Sequence, residues 1–387
     1  MRRFATAIAL ALSTSVGHAV PYVPTDDSVV LERLPAKSDP AIAELARMQR
    51  ELAGRRNDLG AATSVARRAI QAARSTGDPR YLGQAQAALA PWWSQPDAPP
   101  MVLLLRATIL QSIHDFDAAL ADLDRLIAAN PNDSQALLTR ATVLTVRGRY
   151  EDAKRDCTRL SRRAEAIVVT TCLAAAQSMA GEAAQAYAQL DEVLRMPGGD
   201  AATKAWAATL AGEIAERRGD QAAAERHFTR ALGFDSRDGY LKAAYADFLL
   251  ANGRPDVVVR MLANDTRNDS LLLRLALAEK ALPTERAAYE THRAELGARF
   301  AAARQRGDVL HLREEARHAL DIEGDARRAL PLARENWTKQ REPADLLILA
   351  RAAEATKDAA TLREVSDWIK THRYEDVRFA RFRGPRS

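Results

Sequence analysis

Apolar residues recur at helical spacing along most of the chain and are interrupted at short intervals by polar turns, a pattern that predicts a succession of amphipathic α-helices. The helices also repeat one another. Ala107, Leu110, Phe116, Ala119, Leu123 and Leu126 return one period later, in register, as Ala141, Leu144, Tyr150, Ala153, Cys157 and Leu160, with Pro131, Asn132 and Asp133 between the two stretches. A 33-residue step leads to Ala174, Gly181, Ala186, Leu190 and Val193, and a 38-residue step to Gly212, Gly219, Ala224, Phe228 and Ala231. A further 34-residue step gives Ala246, Gly253, Val258 and Leu262. Small residues are expected to face each other where paired helices approach: Ala107 with Ala119, Ala141 with Ala153, Gly212 with Ala224. Leu110, Leu123, Leu144, Phe228 and Leu249 then fill the space beside them. Gly148, Gly181, Gly219 and Gly253 follow the first helix of each unit, where a left-handed residue ends a helix without steric cost. The expected fold class is all-α, a solenoid of antiparallel helix pairs.

The segments GRYEDA (Gly148 to Ala153) and GDQAAAERHFTRAL (Gly219 to Leu232) resemble the tetratricopeptide repeat, a helix-turn-helix unit of about 34 residues. The resemblance is specific from about 100 to 263. It implies a right-handed superhelix in which first helices line a concave groove, second helices form the convex back, and a protein or peptide lies in the groove. Residues 39–99 read as a degenerate N-terminal section. It holds a first unit over 40–76, with Asn57 and Asp58 at its turn and Ala62, Ala66 and Ile70 on its second helix. A helix over 79–90 follows, and Pro91 to Pro100 form a non-helical insert in place of a second helix. Residues 264–372 read as a degenerate C-terminal section with helices near 269–280, 284–304 and 309–321. Gly324 to Leu330 then restore the turn-plus-helix signature, Pro331 kinks that helix or shifts its start, and 343–371 form a last pair. Parts of this section, HLREEARHAL and ARENWTKQREPADLL, look like the end of exported bacterial tetratricopeptide-repeat proteins of no assigned activity.

The 387 residues are 47% hydrophobic but only 5% aromatic, so Ala and Leu supply most of the apolar content, as in helical chains. Two Cys, 18 Gly and 16 Pro exclude disulfide-rich, collagen-like and disordered classes. Arg2 and Arg3, the apolar stretch from Phe4 to Leu12, and Gly17, His18 and Ala19 have the form of an export signal over 1–19 cleaved after Ala19, with 20–38 as linker. No Cys stands near that point, so lipoprotein attachment is not expected. Later apolar runs are broken by Arg106 and Arg274, so no segment should span a membrane. The expected location is periplasmic. Removing 1–19 lowers the formal charge from +5 to +3 with the charges interspersed, which argues against a nucleic-acid binder.

No GxSxG, HExxH, Walker loop, GxGxxG or CxxC occurs, so neither an enzyme nor a cofactor is expected. His311, Glu315 and His318 share a helical face, a set suited to a transition metal. Arg313 and Arg317 would repel a cation, and the favoured reading is a solvated face in which Glu314 pairs with His318, without metal. Cys157 aligns with the core position Leu123, and Cys172 with Thr139, a groove position, so two separate thiols are expected. The tail over 373–387 interleaves cations with aromatics. It could dock on anionic lipid or an acidic partner through Phe379 and Phe382. The commoner alternatives are a frayed end or a strand-like cap, and truncation after His372 is expected to leave the array folded.

The repeat phase projects Leu104, Leu105, Thr108 and Gln111 onto the first part of the groove, then Leu138, Thr139 and Thr142, with Thr171, Ala175 and Ser178 lining the middle. Trp206, Thr209, Glu213, Glu216, Tyr240 and Asp247 follow. The Lys and Asn that clamp a peptide carboxylate in some tetratricopeptide domains are absent from these positions, whereas aromatics beside acids suit a segment bearing Lys or Arg. The competing reading packs Trp206 and Tyr240 between units and leaves the acids solvated. The function expected is a non-enzymatic scaffold for a protein or peptide partner in the cell envelope. A glycan- or small-ligand-binding scaffold, as in polysaccharide export, is the alternative.

Overall fold

Aspartates begin many of the helices in the computed structural model, which describes Asp26 and residues 40–305 and 311–382, the last two by their backbone alone. Asp58, Asp115, Asp133, Asp200, Asp220, Asp238, Asp325 and Asp358 each accept from a backbone N–H three residues on, satisfying one of the donors a helix start leaves free. The expected export signal and most of the linker lie outside the described residues.

Among the described residues twenty α-helices follow one another and no strand occurs. After α1 (Pro40–Ala53) come α2 (Leu59–Thr76) and α3 (Arg80–Ala88), then one turn, α4 (Ala90–Trp93). The regular pairs are α5 (Pro100–Ser112) with α6 (Phe116–Ala129), α7 (Ser134–Val146) with α8 (Tyr150–Arg159), and α9 (Ala166–Gln177) with α10 (Ala183–Val193). Next are α11 (Ala201–Arg218) with α12 (Gln221–Phe234), α13 (Gly239–Ala251) with α14 (Pro255–Leu262), and α15 (Asp269–Lys280) with α16 (Arg286–Gln305). A short α17 (Leu312–Arg317) runs into a π-helical turn (His318–Ile322). The chain continues through α18 (Ala326–Lys339), α19 (Pro343–Thr356) and α20 (Ala359–His372) and ends in 3₁₀ turns (Val377–Phe382). Helix α18 begins before Pro331, so the proline lies inside it and does not reset its start.

Helices α2, α5, α7, α9, α11, α13 and α15 touch in sequence as an inner layer, and their partners form the outer one. The first unit is displaced from its expected register. Helix α2 packs chiefly on α3 and joins the inner layer, so α3 is its second helix. The proline-rich insert is also partly helical, because Arg106 donates to the carbonyls of Trp93 and Gln95 and gathers α4 beside α5. The same guanidinium grips Asp122 of α6 through two bonds of 2.6 and 2.7 Å. One repeat later Arg140 holds Asp156 through two of 2.7 Å.

Cys157 and Cys172 form a disulfide with a Cα separation of 5.6 Å, which corrects the expectation of two thiols. Both are buried, because α9 turns the face carrying Cys172 toward α8 of the preceding unit. Thr139, its equivalent on α7, is likewise buried. Closing a loop across a sequence separation of 15 stabilises the chain by about 3 kcal/mol through the unfolded state.

The C-terminal helices do not extend the array outward. Helix α17 packs on α15, and Ala333, Trp337, Leu346, Leu349, Val365, Trp368, Tyr374 and Phe379 share a core with residues of α2 to α9. Their connections run along the turns within the repeats. Gln340 meets His114, and the Arg341 N–H donates to the Val146 carbonyl at 2.7 Å. Further along, Arg373 lies at Gly181 and Val377 at Gly219. Gly181, at φ +82°, shows why the turn residue is glycine: a Cβ there would stand 2.8 Å from Arg373 Cβ. At the other end α2 meets α13, and the side chain of Asn268, the N-cap of α15, occupies the space beside Gly77 that any Cβ would fill.

Residues 373–382 are therefore neither a frayed end nor a strand. Tyr374 and Phe379 are each 1% exposed, and Asp376 accepts from the Tyr374 hydroxyl and the Arg378 guanidinium. Phe379 is committed to this core and is not free for lipid. The side chain of Phe382 and residues 383–387 lie outside the described part.

Candidate functional site

The inner face is where the sequence places partner binding, and the described residues divide it into three parts. Leu105, Thr139, Thr171, Ser178 and Thr209 are buried and present no surface, a correction to their expected role. The hydroxyls of Thr139, Thr171 and Thr209 turn back to carbonyls four residues earlier, and Ser178 Oγ accepts from Arg217 at 3.0 Å. Leu104, Thr108, Gln111, Leu138 and Ala175 are partly open, and Thr142 is exposed.

The chain itself occupies the second part. Asp247 on α13 accepts from Arg274 at 2.7 Å and from Arg317 of α17 at 2.6 Å. Against the cost of burial these two guanidinium groups hold its carboxyl below the usual range. Glu216 faces Arg378 of the tail at 3.7 Å, although burial still raises its pKa. The arginine-bearing segment suggested by the sequence is thus supplied at these two acids from within.

The third part is left unfilled by the described residues. Trp206 of α11 and Tyr240 of α13, at equivalent positions of consecutive units, are 36% and 57% exposed, so part of each ring stays open on the inner face. The Tyr240 hydroxyl donates to Glu213 Oε1 at 2.7 Å. Glu213 stands one period before Asp247, at the equivalent position of the preceding repeat, yet makes no ion pair with an arginine among the described residues. Withdrawal from bulk water pushes its carboxyl up to about 7, against the hydrogen bond from Tyr240 and the field of Arg217, with Glu342 and Glu216 adding to the rise. The protein crowded around its hydroxyl end, and then the Glu213 carboxylate, raise the Tyr240 phenol, although much of its ring stays open.

The sign of the resulting pH dependence is fixed. Between the ordinary value of 4.5 and about 7 the folded chain keeps a proton on Glu213 that the unfolded chain has released, so this group's contribution favours folding at the acid end and is lost as pH rises through about 7. Replacing Glu213 by Gln should remove that contribution. Thermal melts of parent and variant should show the variant gaining on the parent as pH rises through this window, and parallel profiles would contradict it.

His311, Glu315 and His318 are not brought together as a ligand set. Glu315 pairs with Arg304 and lies 4.0 Å from Arg328, while His318 is buried on the Phe300 ring, 5.3 Å between centroids. Glu314 faces Arg313 and Arg274, so its expected pairing with His318 does not form. Among the described residues no group of three or more His, Cys, Asp or Glu side chains is placed to hold a metal ion. A cleft of about 860 Å³ lies elsewhere, against α15, α16 and Ile322. Charges lining it are already engaged: Glu290 with Arg286 and Arg293, each at 3.0 Å, Glu279 with His292 at 2.9 Å, and Glu323 with Arg328.

With α-helical pairs wound in sequence and an inner layer of first helices, comparison with solved structures becomes informative. The APC/C hetero-tetramer Cut9–Hcn1 matches with a TM-score of 0.52 at 16% identity over 86% of this chain and 63% of that one. The fold is that of a tetratricopeptide-repeat solenoid. A tetratricopeptide repeat protein from Parabacteroides merdae matches at 16% identity over 74% of this chain and 98% of that one, TM-score 0.37. The P58(IPK) TPR domain matches at 14% identity over 82% and 99%, TM-score 0.20. No family model matches the sequence, and no curated protein does. The tetratricopeptide-repeat architecture is a right-handed superhelix of antiparallel helix pairs. No helix among the described residues is long and apolar enough to cross a membrane.

Proposed function

We propose that the chain is an exported, non-enzymatic scaffold of the cell envelope that holds a protein or peptide partner on the inner face of α11 and α13. The observation that carries this reading is the pair Trp206 and Tyr240, two large aromatics left open on consecutive first helices while the neighbouring inner face is filled by the chain's own C-terminal helices. Exposed aromatics with a polar edge are the side chains that contribute most to protein recognition. Export is supported by the charged, apolar and small-residue succession over 1–19, and by the Cys157–Cys172 disulfide, a bond characteristic of oxidising compartments.

A pull-down from envelope extract tests the reading, comparing the parent chain with a Trp206→Ala, Tyr240→Ala variant of unchanged helicity. A protein partner captured by the parent and lost from the variant is expected, and identical capture lists would reject the site. Asp247 is unsuited to such a test, because replacing it would leave Arg274 and Arg317 without their shared carboxylate.

A further inference from the structure

The inner face contains its own record of what its acids bind. At Asp247 one carboxylate takes two guanidinium groups, Arg274 from the next repeat and Arg317 from α17. At Glu216 the facing cation is Arg378. Glu213 occupies the position of Asp247 one repeat earlier and has no such partner among the described residues; Tyr240 engages Oε1, leaving Oε2 without a described donor. No neighbouring cation pairs with Glu213 among the described residues. Arg217 is buried and donates to Ser178, so it acts on Glu213 through its field and not through an ion pair, and Arg313, whose field reaches Tyr240, is held by Glu342 at 2.9 Å and Asp345 at 3.3 Å. The aromatic positions repeat with the acids, Trp206 one unit before Tyr240. Guanidinium groups already lie over aromatic rings in this chain: Arg218 over Tyr187 at 4.8 Å and Arg341 over Trp337 at 4.6 Å.

Resting on the reading above, we propose that the partner is recognised through an arginine side chain whose guanidinium bonds the free oxygen of Glu213 and stacks against Trp206 and Tyr240. A planar cation is favoured over an ammonium for two reasons. It can offer one N–H to the carboxylate while its face lies on a ring, and it is the more weakly hydrated group to bring into an enclosed position. The uncharged isostere citrulline keeps the plane but loses the charge, and lysine keeps the charge but loses the plane.

The test uses the full chain labelled with 5-fluorotryptophan, with the Trp206 resonance assigned by its loss in Trp206→Phe. The probes are the N-acetyl amides of arginine, citrulline and lysine, added to millimolar concentration. The arginine probe is expected to shift the Trp206 resonance saturably, and the citrulline and lysine probes to bind at least about tenfold more weakly. Glu213→Gln should weaken the arginine probe by a similar factor. No saturable shift with arginine, or equal responses to the three probes, would overturn the proposal, and neither comparison depends on the variant being folded. An unchanged response in a folded Glu213→Gln chain would overturn it as well. The pull-down separates this from the scaffold reading. A captured partner with no arginine response rejects only the guanidinium, and an arginine response without a protein partner rejects only the scaffold.

Discussion

Phe379→Ala is expected to lower the unfolding free energy by about 3–5 kcal/mol, and truncation after His372 by more, although both changes fall within the last residues of the chain. Phe379 and Tyr374 are each 1% exposed, packed with their centroids 6.1 Å apart, and Tyr374 adds an edge contact to Trp368 at 5.4 Å. Removing them would uncover Trp368 and the end of α11, and would take Arg378 from Glu216. Urea unfolding followed by circular dichroism, with parent and truncated chain side by side, measures the effect. Hydrogen exchange should show the loosening first in α20 and the C-terminal end of α11, where the tail is seated. A truncated chain that unfolds with the parent would mean that these burials contribute nothing.

Arg106→Met should be comparably damaging, at about 3–5 kcal/mol, because it leaves the Asp122 carboxylate buried with its bidentate partner gone. The companion Arg106→Met, Asp122→Leu removes the carboxylate, which would keep only Arg125 at 3.8 Å, and should recover much of the loss. Recovery should be incomplete, since the carbonyls of Trp93 and Gln95 would still have lost a donor. Arg140→Met should cost less, because that side chain is more open to water and its pair with Asp156 is less completely buried. Chemical denaturation of the four chains settles the ordering. If the double variant were no more stable than Arg106→Met, the loss would have to come from the Trp93 and Gln95 carbonyls and not from Asp122.

The regular pairs are legible in the sequence because their determinants are local and repeat: small residues where helices approach, aspartate at helix starts, glycine at turns. The Arg106–Asp122 pair is legible in principle as well, since Arg140 and Asp156 repeat it at the same interval, although Arg106 by itself reads only as a break in an apolar run. Cys172 misleads for a different reason. Its alignment with Thr139 is sound, but both positions face the preceding unit, a direction that periodicity along one helix does not determine. The first unit slips by one helix because α1, α2 and α3 carry no strong repeat residues to fix which two belong together. The tail is hardest to read, as its cations and aromatics suit an external surface and an internal seat equally until the curvature of the array is known. In the groove, sequence phase places Trp206, Tyr240 and Glu213 on first helices of the inner layer, but it does not tell which acids the chain satisfies for itself.

Solenoids ordinarily tolerate gain or loss of a unit, because each repeat answers only to its neighbours. This one has lost that freedom. The C-terminal segments touch His114, Val146, Gly181 and Gly219 in order, one intra-repeat turn after another, like a key cut to a particular row of pins. Inserting one consensus unit between α6 and α7 would leave the Cys157–Cys172 disulfide intact and put an equivalent interface on either side, yet it would carry the later turns out of reach of Arg373 and Val377 and separate Gly77 from Asn268. The number of repeats is therefore part of the specification of the fold, and the protein can be lengthened only at sites that leave this row uninterrupted.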